Sequence, residues 1–253
     1  MSDTLIKVEK LYKSFGQNQV LSNISFDVKK HRSLVVMGAS GTGKSVLLKI
    51  MCGLLEPTSG QVLVNNIVVN NKERQNYFNL LQKVGFLFQS GALFDSLNIS
   101  DNITFFVEKL RPISAVEKKD LAAKTLKKVG LGPNILSLYP KELSGGMQKR
   151  VGLARAICHN PEIIFFDEPT TGLDPIMSNL INSLIRQVRE NLNVTTITIT
   201  HDMNSVRQIA DDIILLHKGS IVWQGERKNI DNANNPYLHQ FVMGLSEGPI
   251  QAF

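Results

Sequence analysis

The stretch Ser33-Leu34-Val35-Val36-Met37-Gly38-Ala39-Ser40-Gly41-Thr42-Gly43-Lys44-Ser45 decides how the rest of this chain is read. Ser33 to Met37 is a compact apolar strand, and a glycine-rich turn follows it at once. Ser45 to Cys52 suits a helix, stopped by Gly53 and Pro57. Gly38 to Ser45 matches in full the Gly-x-x-x-x-Gly-Lys-Ser spacing of a P-loop. The glycines let the backbone curl so that successive N–H groups point inward at phosphate oxygens. The helix that follows adds its positive N-terminal end. Lys44 is expected to reach the β- and γ-phosphates, and the Ser45 hydroxyl to bind Mg²⁺. The candidate nucleotide contacts here are Gly38, Ala39, Ser40, Gly41, Thr42, Gly43, Lys44, Ser45 and Val46.

Outward from this turn, Ile6 and Val8, then Ile24, Phe26 and Val28, alternate with polar residues as half-buried strands do. Val62 and Val64 resume the alternation. Further strands are expected at Val84 to Phe88, Ile163 to Phe166, Thr195 to Thr200, Ile213 to Leu216 and Ile221 to Trp223. Helical spacing holds from about Asn98 to Gly130, after Ser144, and from Asp174. In the second of these, Met147, Val151, Ala154, Ile157 and Cys158 are expected to share one face. Strands alternating with helices predict an α/β fold with a parallel sheet. The early strands read as an antiparallel side sheet, and the middle helices as an inserted lobe.

The 253 residues suffice for one large α/β domain, or a core with a smaller lobe. Hydrophobic residues at 43% and charged residues at 20% are ordinary for a globular chain. A net charge of +6 and a pI near 9.3 suit anionic partners. The basic residues are dispersed in pairs such as Lys118-Lys119, however, so no nucleic-acid arm is expected. Cys52 and Cys158 lie in apolar surroundings without metal-ligand spacing. They read as buried small side chains and fit a reducing cytoplasm. The N-terminal stretch lacks the apolar region of a signal peptide, and no apolar run nears the ~18 residues of a membrane span. Any membrane spans are expected on another chain.

Two further segments carry chemistry. Ile163-Ile164-Phe165-Phe166-Asp167-Glu168 is a buried strand ending in two acids. Asp167 is expected to hold Mg²⁺ directly or through water, and Glu168 to activate the water that attacks the γ-phosphate. Leu143-Ser144-Gly145-Gly146-Met147-Gln148 opens a helix with Ser144 at the N-cap and two glycines exposing backbone N–H groups. Ser144, Gly145 and Gly146 thus form a second phosphate-binding end. One site does not need both ends, and the natural use of the second is against a phosphate held by another copy's P-loop.

On these residues the chain resembles the ABC ATPase family, whose signature is LSGGQ; here Met147 stands ahead of the glutamine. Gln89 matches the family's Q-loop, Thr170-Thr171-Gly172-Leu173-Asp174 its D-loop region, and His201 its switch histidine. Tyr12-Lys13-Ser14-Phe15-Gly16 matches the aromatic loop that stacks on adenine, with Phe15 as the favoured ring and Tyr12 the alternative. The resemblance covers about residues 5 to 230. It implies a P-loop NTPase core with an N-terminal antiparallel β subdomain and an inserted α-helical subdomain. The whole is expected to be a single domain over 1–253, with the helical subdomain at about 90–160 and a short C-terminal extension at about 231–253. ATP and Mg²⁺ are the implied ligands, with Ser45, Gln89 and Asp167 toward the metal and Lys44, Glu168 and His201 catalytic. A head-to-tail dimer is implied, two ATPs lying between P-loop and signature.

Phe88-Gln89-Ser90-Gly91-Ala92-Leu93-Phe94-Asp95-Ser96-Leu97 looks like the Q-loop of ATPases in Mla-type lipid transporters. Leu143 to Met147, Asp174-Pro175-Ile176 and the tail Gly244 to Ile250 share that resemblance. It implies a peripheral protein on the cytoplasmic face of the inner membrane, bound to an integral-membrane permease and working with a periplasmic lipid-binding subunit. The permease contact is expected between Gln89 and about Leu110. Alternatives are the ATPase of a polar amino-acid or other small-solute importer, and a soluble ABC ATPase in DNA repair or translation. The interval from Lys44 to Ser144 leaves no room for the coiled-coil insertion of the latter.

Overall fold

The structure, a computed structural model, describes residues 3–69 and 74–251. In chain order the first elements are β1 (Thr4–Phe15), β2 (Asn18–Lys29), β3 (Ser33–Met37), α1 (Lys44–Met51), β4 (Ser59–Val64), β5 (Ile67–Val68) and α2 (Arg74–Leu81). Next come β6 (Val84–Leu87), α3 (Ile99–Leu110), α4 (Ala115–Lys128), α5 (Gly145–Ile157), β7 (Ile163–Asp167) and α6 (Pro175–Leu192). The last are β8 (Thr195–Thr200), α7 (Met203–Ile209), β9 (Asp212–His217), β10 (Ser220–Glu226) and α8 (Pro236–Met243). Two units divide the chain: residues up to Leu80 together with those from Thr195 onward, and Leu81–Val194.

In the first unit β3 pairs in parallel with β8 on one side and β9 on the other, and β10 pairs antiparallel with β9. Every residue of β3 and of β8 is buried, as strands covered on both faces must be. Arg32 donates to both oxygens of Asp212 at 2.5 and 2.7 Å, and the Asp211 carboxylate accepts from the Ser33 N–H at 2.9 Å. This fork geometry is the strong form of ion pair. It fastens the starts of β3 and β9, so their other ends emerge in a fixed register, with Met37 opposite Leu215. A second, antiparallel sheet runs β2-β1-β4-β5. On β2, Leu21, Ile24, Phe26 and Val28 are buried between more exposed neighbours, the pattern expected from the alternation.

In the second unit β6 and β7 are parallel, with Val84 opposite Ile163 and Leu87 opposite Phe166. All of β7 is buried, Phe165 and Phe166 completely. Each of those rings contributes roughly 1.5–3 kcal/mol of burial. α3 packs on α4 and α5. The helices α3, α4, α5 and α6 begin at Asn98, Ser114, Ser144 and Asp174, whose side chains each accept a first-turn backbone N–H. α5 departs from the one-faced helix expected: Gly146, Lys149, Val151, Gly152, Leu153, Ala154, Ala156 and Ile157 are all buried, while Met147 is half-exposed. Small residues allow this, since a Cβ on Gly152 would lie 2.9 Å from Leu87 Cδ1 and 3.2 Å from the Gly91 carbonyl oxygen.

Both cysteines are buried thiols, as expected, and burial pushes Cys158 up to about 11. The short helices α2, α7 and α8 have no counterpart in the sequence reading. After α8, Gln240 donates to the Leu245 and Ile250 carbonyls and accepts from the Ile250 N–H. It folds the tail back on the helix; the last two residues of the expected extension lie outside the described residues. Among the described residues, no helix is long and apolar enough to cross a membrane.

Asn102 on α3 is fully buried. Its amide accepts from the Phe94 N–H at 2.8 Å and donates to the carbonyls of Phe94, Leu97 and Asn98 at 2.9–3.1 Å. One side chain thereby satisfies four backbone groups of the loop before α3. Asn102→Ala is expected to lower stability by about 3 kcal/mol, because those backbone groups lose their buried partner. A denaturant melt within 0.5 kcal/mol of the parent (roughly the scatter of neutral surface changes) would contradict that role.

Candidate nucleotide site

The sequence-predicted residues form two sets, one on each unit. In the first, Gly38 leaves β3 with φ of +156°, and a Cβ there would stand 2.3 Å from the Leu216 carbonyl oxygen of β9. Only glycine fits so close an approach. Gly43 begins α1 at φ of +98°, where a Cβ would meet Leu21 Cδ2 at 2.8 Å and the Val20 carbonyl oxygen at 3.0 Å. Between them Ser40 and Gly41 are exposed. α1 has no side-chain cap and no acidic residue in its first turn. No acid of its own first turn offsets its positive end, which favours an anion there. Lys44 is buried and its ammonium donates to the Gly38 and Ala39 carbonyls at 2.8 and 2.9 Å. Thr42 Oγ1 donates to the same Ala39 carbonyl at 2.9 Å, tightening the loop. Ser45 is exposed and Val46 half-buried in the first turn.

Met37 pairs with Thr200 across β3 and β8. The phosphate loop and His201 therefore leave the same end of two neighbouring parallel strands, where ligand sites of α/β sheets lie. His201 is exposed. Asp202 beside it donates its N–H to Thr200 Oγ1 at 3.0 Å, and accepts from Asn204 N and Ser205 N at 3.0 Å and from Ser205 Oγ at 2.6 Å. That cap pins the histidine between strand end and helix start. The sequence reading missed Asp202, although an acid just ahead of a helix is a recognisable N-cap. Phe15 ends β1 and is 50% exposed, with Lys13 Nζ 4.9 Å from its ring centre. Tyr12 is half-buried and paired with Ser59. Of the two rings, Phe15 is the more exposed.

On the second unit the β6–β7 register sets Leu87 opposite Phe166. Gln89 and Glu168 each follow two residues after that pair, so they leave the same end of the strand pair. Gln89 is exposed; Asp167 and Glu168 are each 9% exposed. Glu168 has φ of +47°, left-handed backbone that costs a non-glycine residue roughly 1–3 kcal/mol. Thr171 holds it, donating Oγ1 to Glu168 Oε2 at 3.1 Å and its N–H to the Glu168 carbonyl at 3.2 Å. Ser144 and Gly145 are exposed at the start of α5, and Ser144 Oγ accepts from Met147 N at 3.3 Å. Gly146 is buried against Met177.

Two charged residues here went unread in the sequence. Arg155 on α5 donates to the Gly91 and Ala92 carbonyls at 2.7 and 2.8 Å and lies 5.6 Å from the Phe94 ring. Burial pulls its guanidinium below the ordinary range. With Asn102 it shapes the loop after Gln89, leaving Phe94 42% exposed against Phe105. Lys149 is the other, a buried lysine one turn into α5 whose ammonium donates to the Pro169 and Thr171 carbonyls.

The family description "ABC transporter" matches residues 21–171. The intermembrane phospholipid transport system ATP-binding protein MlaF of Haemophilus influenzae is 35% identical, over 99% of this chain and 95% of its own length. A probable ribonucleotide transport ATP-binding protein, mkl, of Mycobacterium leprae is 36% identical over 97% of this chain and 70% of its own. Among solved structures, a dimeric ATP-binding cassette in a post-hydrolysis state with ADP and phosphate superposes with a TM-score of 0.80. It is 30% identical and covers 88% of this chain and 99% of its own.

Gly38→Ala is expected to weaken nucleotide binding at least tenfold, because the added methyl meets the β9 backbone and strains the loop; tenfold is about 1.4 kcal/mol. Titration with a fluorescent ATP analogue measures it, and parent-like affinity would show that the loop does not set the site.

Proposed function

This chain belongs to the ABC transporter family as an ATP-binding, ATP-hydrolysing domain, and we propose that the work it powers is phospholipid transport. The supporting observation is the near end-to-end similarity to a phospholipid transport ATP-binding protein. It runs together with the Ser90 to Leu97 loop, Leu143 to Met147 and Asp174-Pro175-Ile176, which look like those of Mla-type ATPases. In this reading the chain sits peripherally on the cytoplasmic face of the inner membrane. It drives a multi-span permease that exchanges lipid with a periplasmic lipid-binding subunit. The permease contact falls between Gln89 and about Leu110, the stretch that carries the exposed Phe94.

The roles follow from side-chain chemistry. The P-loop N–H groups and Lys44 bind the β- and γ-phosphates, and Phe15 stacks on adenine. Glu168 accepts a proton or strong hydrogen bond from the attacking water, and His201 holds the γ-phosphate and that water in line. Ser45, Gln89 and Asp167 offer oxygen donors only, the hard set that suits Mg²⁺. Mg²⁺, when bound, neutralises charge on the β- and γ-phosphate oxygens. Ser144, Gly145 and Gly146 contact the nucleotide held by a second copy, giving two sites in a head-to-tail dimer of twofold symmetry. Closure on ATP and reopening after hydrolysis supply the stroke to the permease.

Gentle extraction of the tagged protein from native membranes, with mass spectrometry of what co-purifies, tests the substrate. A multi-span permease, a periplasmic lipid-binding subunit and enriched phospholipid are expected. A solute or ribonucleotide permease free of lipid would overturn the lipid assignment and leave the ATPase standing. Glu168→Gln is expected to keep ATP binding, lower phosphate release by about 100-fold or more and accumulate the ATP-bound dimer on size exclusion. Turnover at the parent rate would remove Glu168 from its role.

A further inference from the structure

Lysine is almost never fully buried without a partner, yet Lys149 is 6% exposed inside the helix that carries the Ser144-Gly145-Gly146 end. The ammonium is met by two backbone oxygens, Pro169 at 2.9 Å and Thr171 at 2.5 Å. Both belong to the segment just after Glu168; burial pulls the lysine below its ordinary range, and the Glu168 carboxylate only partly opposes that. Thr171 is itself the residue whose hydroxyl and N–H hold Glu168 at 3.1 and 3.2 Å. Glu168 needs such holding, since its left-handed backbone persists only where surroundings over-determine it. The contacts therefore form one chain: α5, Lys149, the Thr171 backbone, the Thr171 side chain, the Glu168 carboxylate.

We propose that Lys149 is a positioning residue for hydrolysis, acting from the signature helix through Thr171 to hold the Glu168 carboxylate in its productive place. The proposal rests on Glu168 being the base of the ATPase described above. A neutral side chain of similar length leaves the Pro169 and Thr171 carbonyls without their donor and frees the segment that fixes Glu168. Nucleotide contacts made by the P-loop are untouched. The loss therefore falls on the chemical step.

The experiment measures steady-state ATPase kinetics of Lys149→Met, Lys149→Arg, Glu168→Gln and the Lys149→Met/Glu168→Gln pair on the full-length chain. Lys149→Met is expected to lower kcat at least tenfold with the KM for ATP within about twofold. Lys149→Arg, which keeps a charged donor, is expected to recover most of that loss. In the Glu168→Gln background Lys149→Met is expected to cost less than about twofold more, since the group it positions is gone; non-additivity of this kind reports coupling. Equal fold-losses in both backgrounds, or a rise in KM at unchanged kcat, would overturn the proposal. If Lys149→Met does not fold, Lys149→Gln carries the same cycle with the same criteria. A parent protein without ATPase activity would instead sink the functional reading beneath it.

Discussion

The parallel pairing of buried strands sets the terms for everything else in this molecule. β3 and β8 are buried throughout, so their backbone groups have no outlet except neighbouring strands, and register becomes a constraint that side chains cannot relax. With Met37 fixed opposite Thr200, the phosphate loop and His201 must emerge together. The β6–β7 pair repeats the device, bringing out Gln89 and Glu168 from matched ends. Chemistry is thus hung on the ends of strands that have little freedom to shift. Loop-based devices refine it: an Asp202 cap beside the histidine, a Thr171 brace on the glutamate, an Asn102 clamp on the segment after Gln89.

What could be read in advance follows the distance over which each feature is determined. The P-loop, the two acids after an apolar strand and the signature end are local: their chemistry needs given residue types at fixed spacing. The fold class was legible for a similar reason. Strand burial writes itself as unbroken apolar runs in β3 and β7 and as alternation in β2. Lys149, Arg155 and Asn102 were not legible, because each owes its role to carbonyls distant in sequence or in a loop of unpredictable path. A lysine in a helix ordinarily reads as a solvated charge, and nothing nearby in sequence announces the Pro169 and Thr171 oxygens. α5 defeated a one-faced reading because Gly146 and Gly152 let neighbours approach sides that amphipathic spacing assigns to water. The short helices α2, α7 and α8 escaped because seven or eight residues give too little periodicity to stand out.

Charge placement separates binding from turnover. The glycine-rich loop leads into α1 with no acid in the first turn of that helix, which suits an anion. The acids instead sit at the end of β7, nearly buried, with Glu168 in a conformation that needs external bracing. In the proposed scheme, affinity and hydrolysis can then be perturbed separately. Phe94 stays exposed on a loop clamped from two helices, by Asn102 and by Arg155.

In the proposed dimer, one nucleotide is worked on by the P-loop of one copy and the signature of another. Mixing two individually inactive variants, Lys44→Ala and Gly146→Asp, addresses it most directly. A mixed pair contains one site in which an intact P-loop faces an intact signature. Hydrolysis regained on mixing, and depending on the ratio of the two variants, is the expected result. A mixture as inactive as its components, with mixed dimers demonstrably formed, would contradict the shared site.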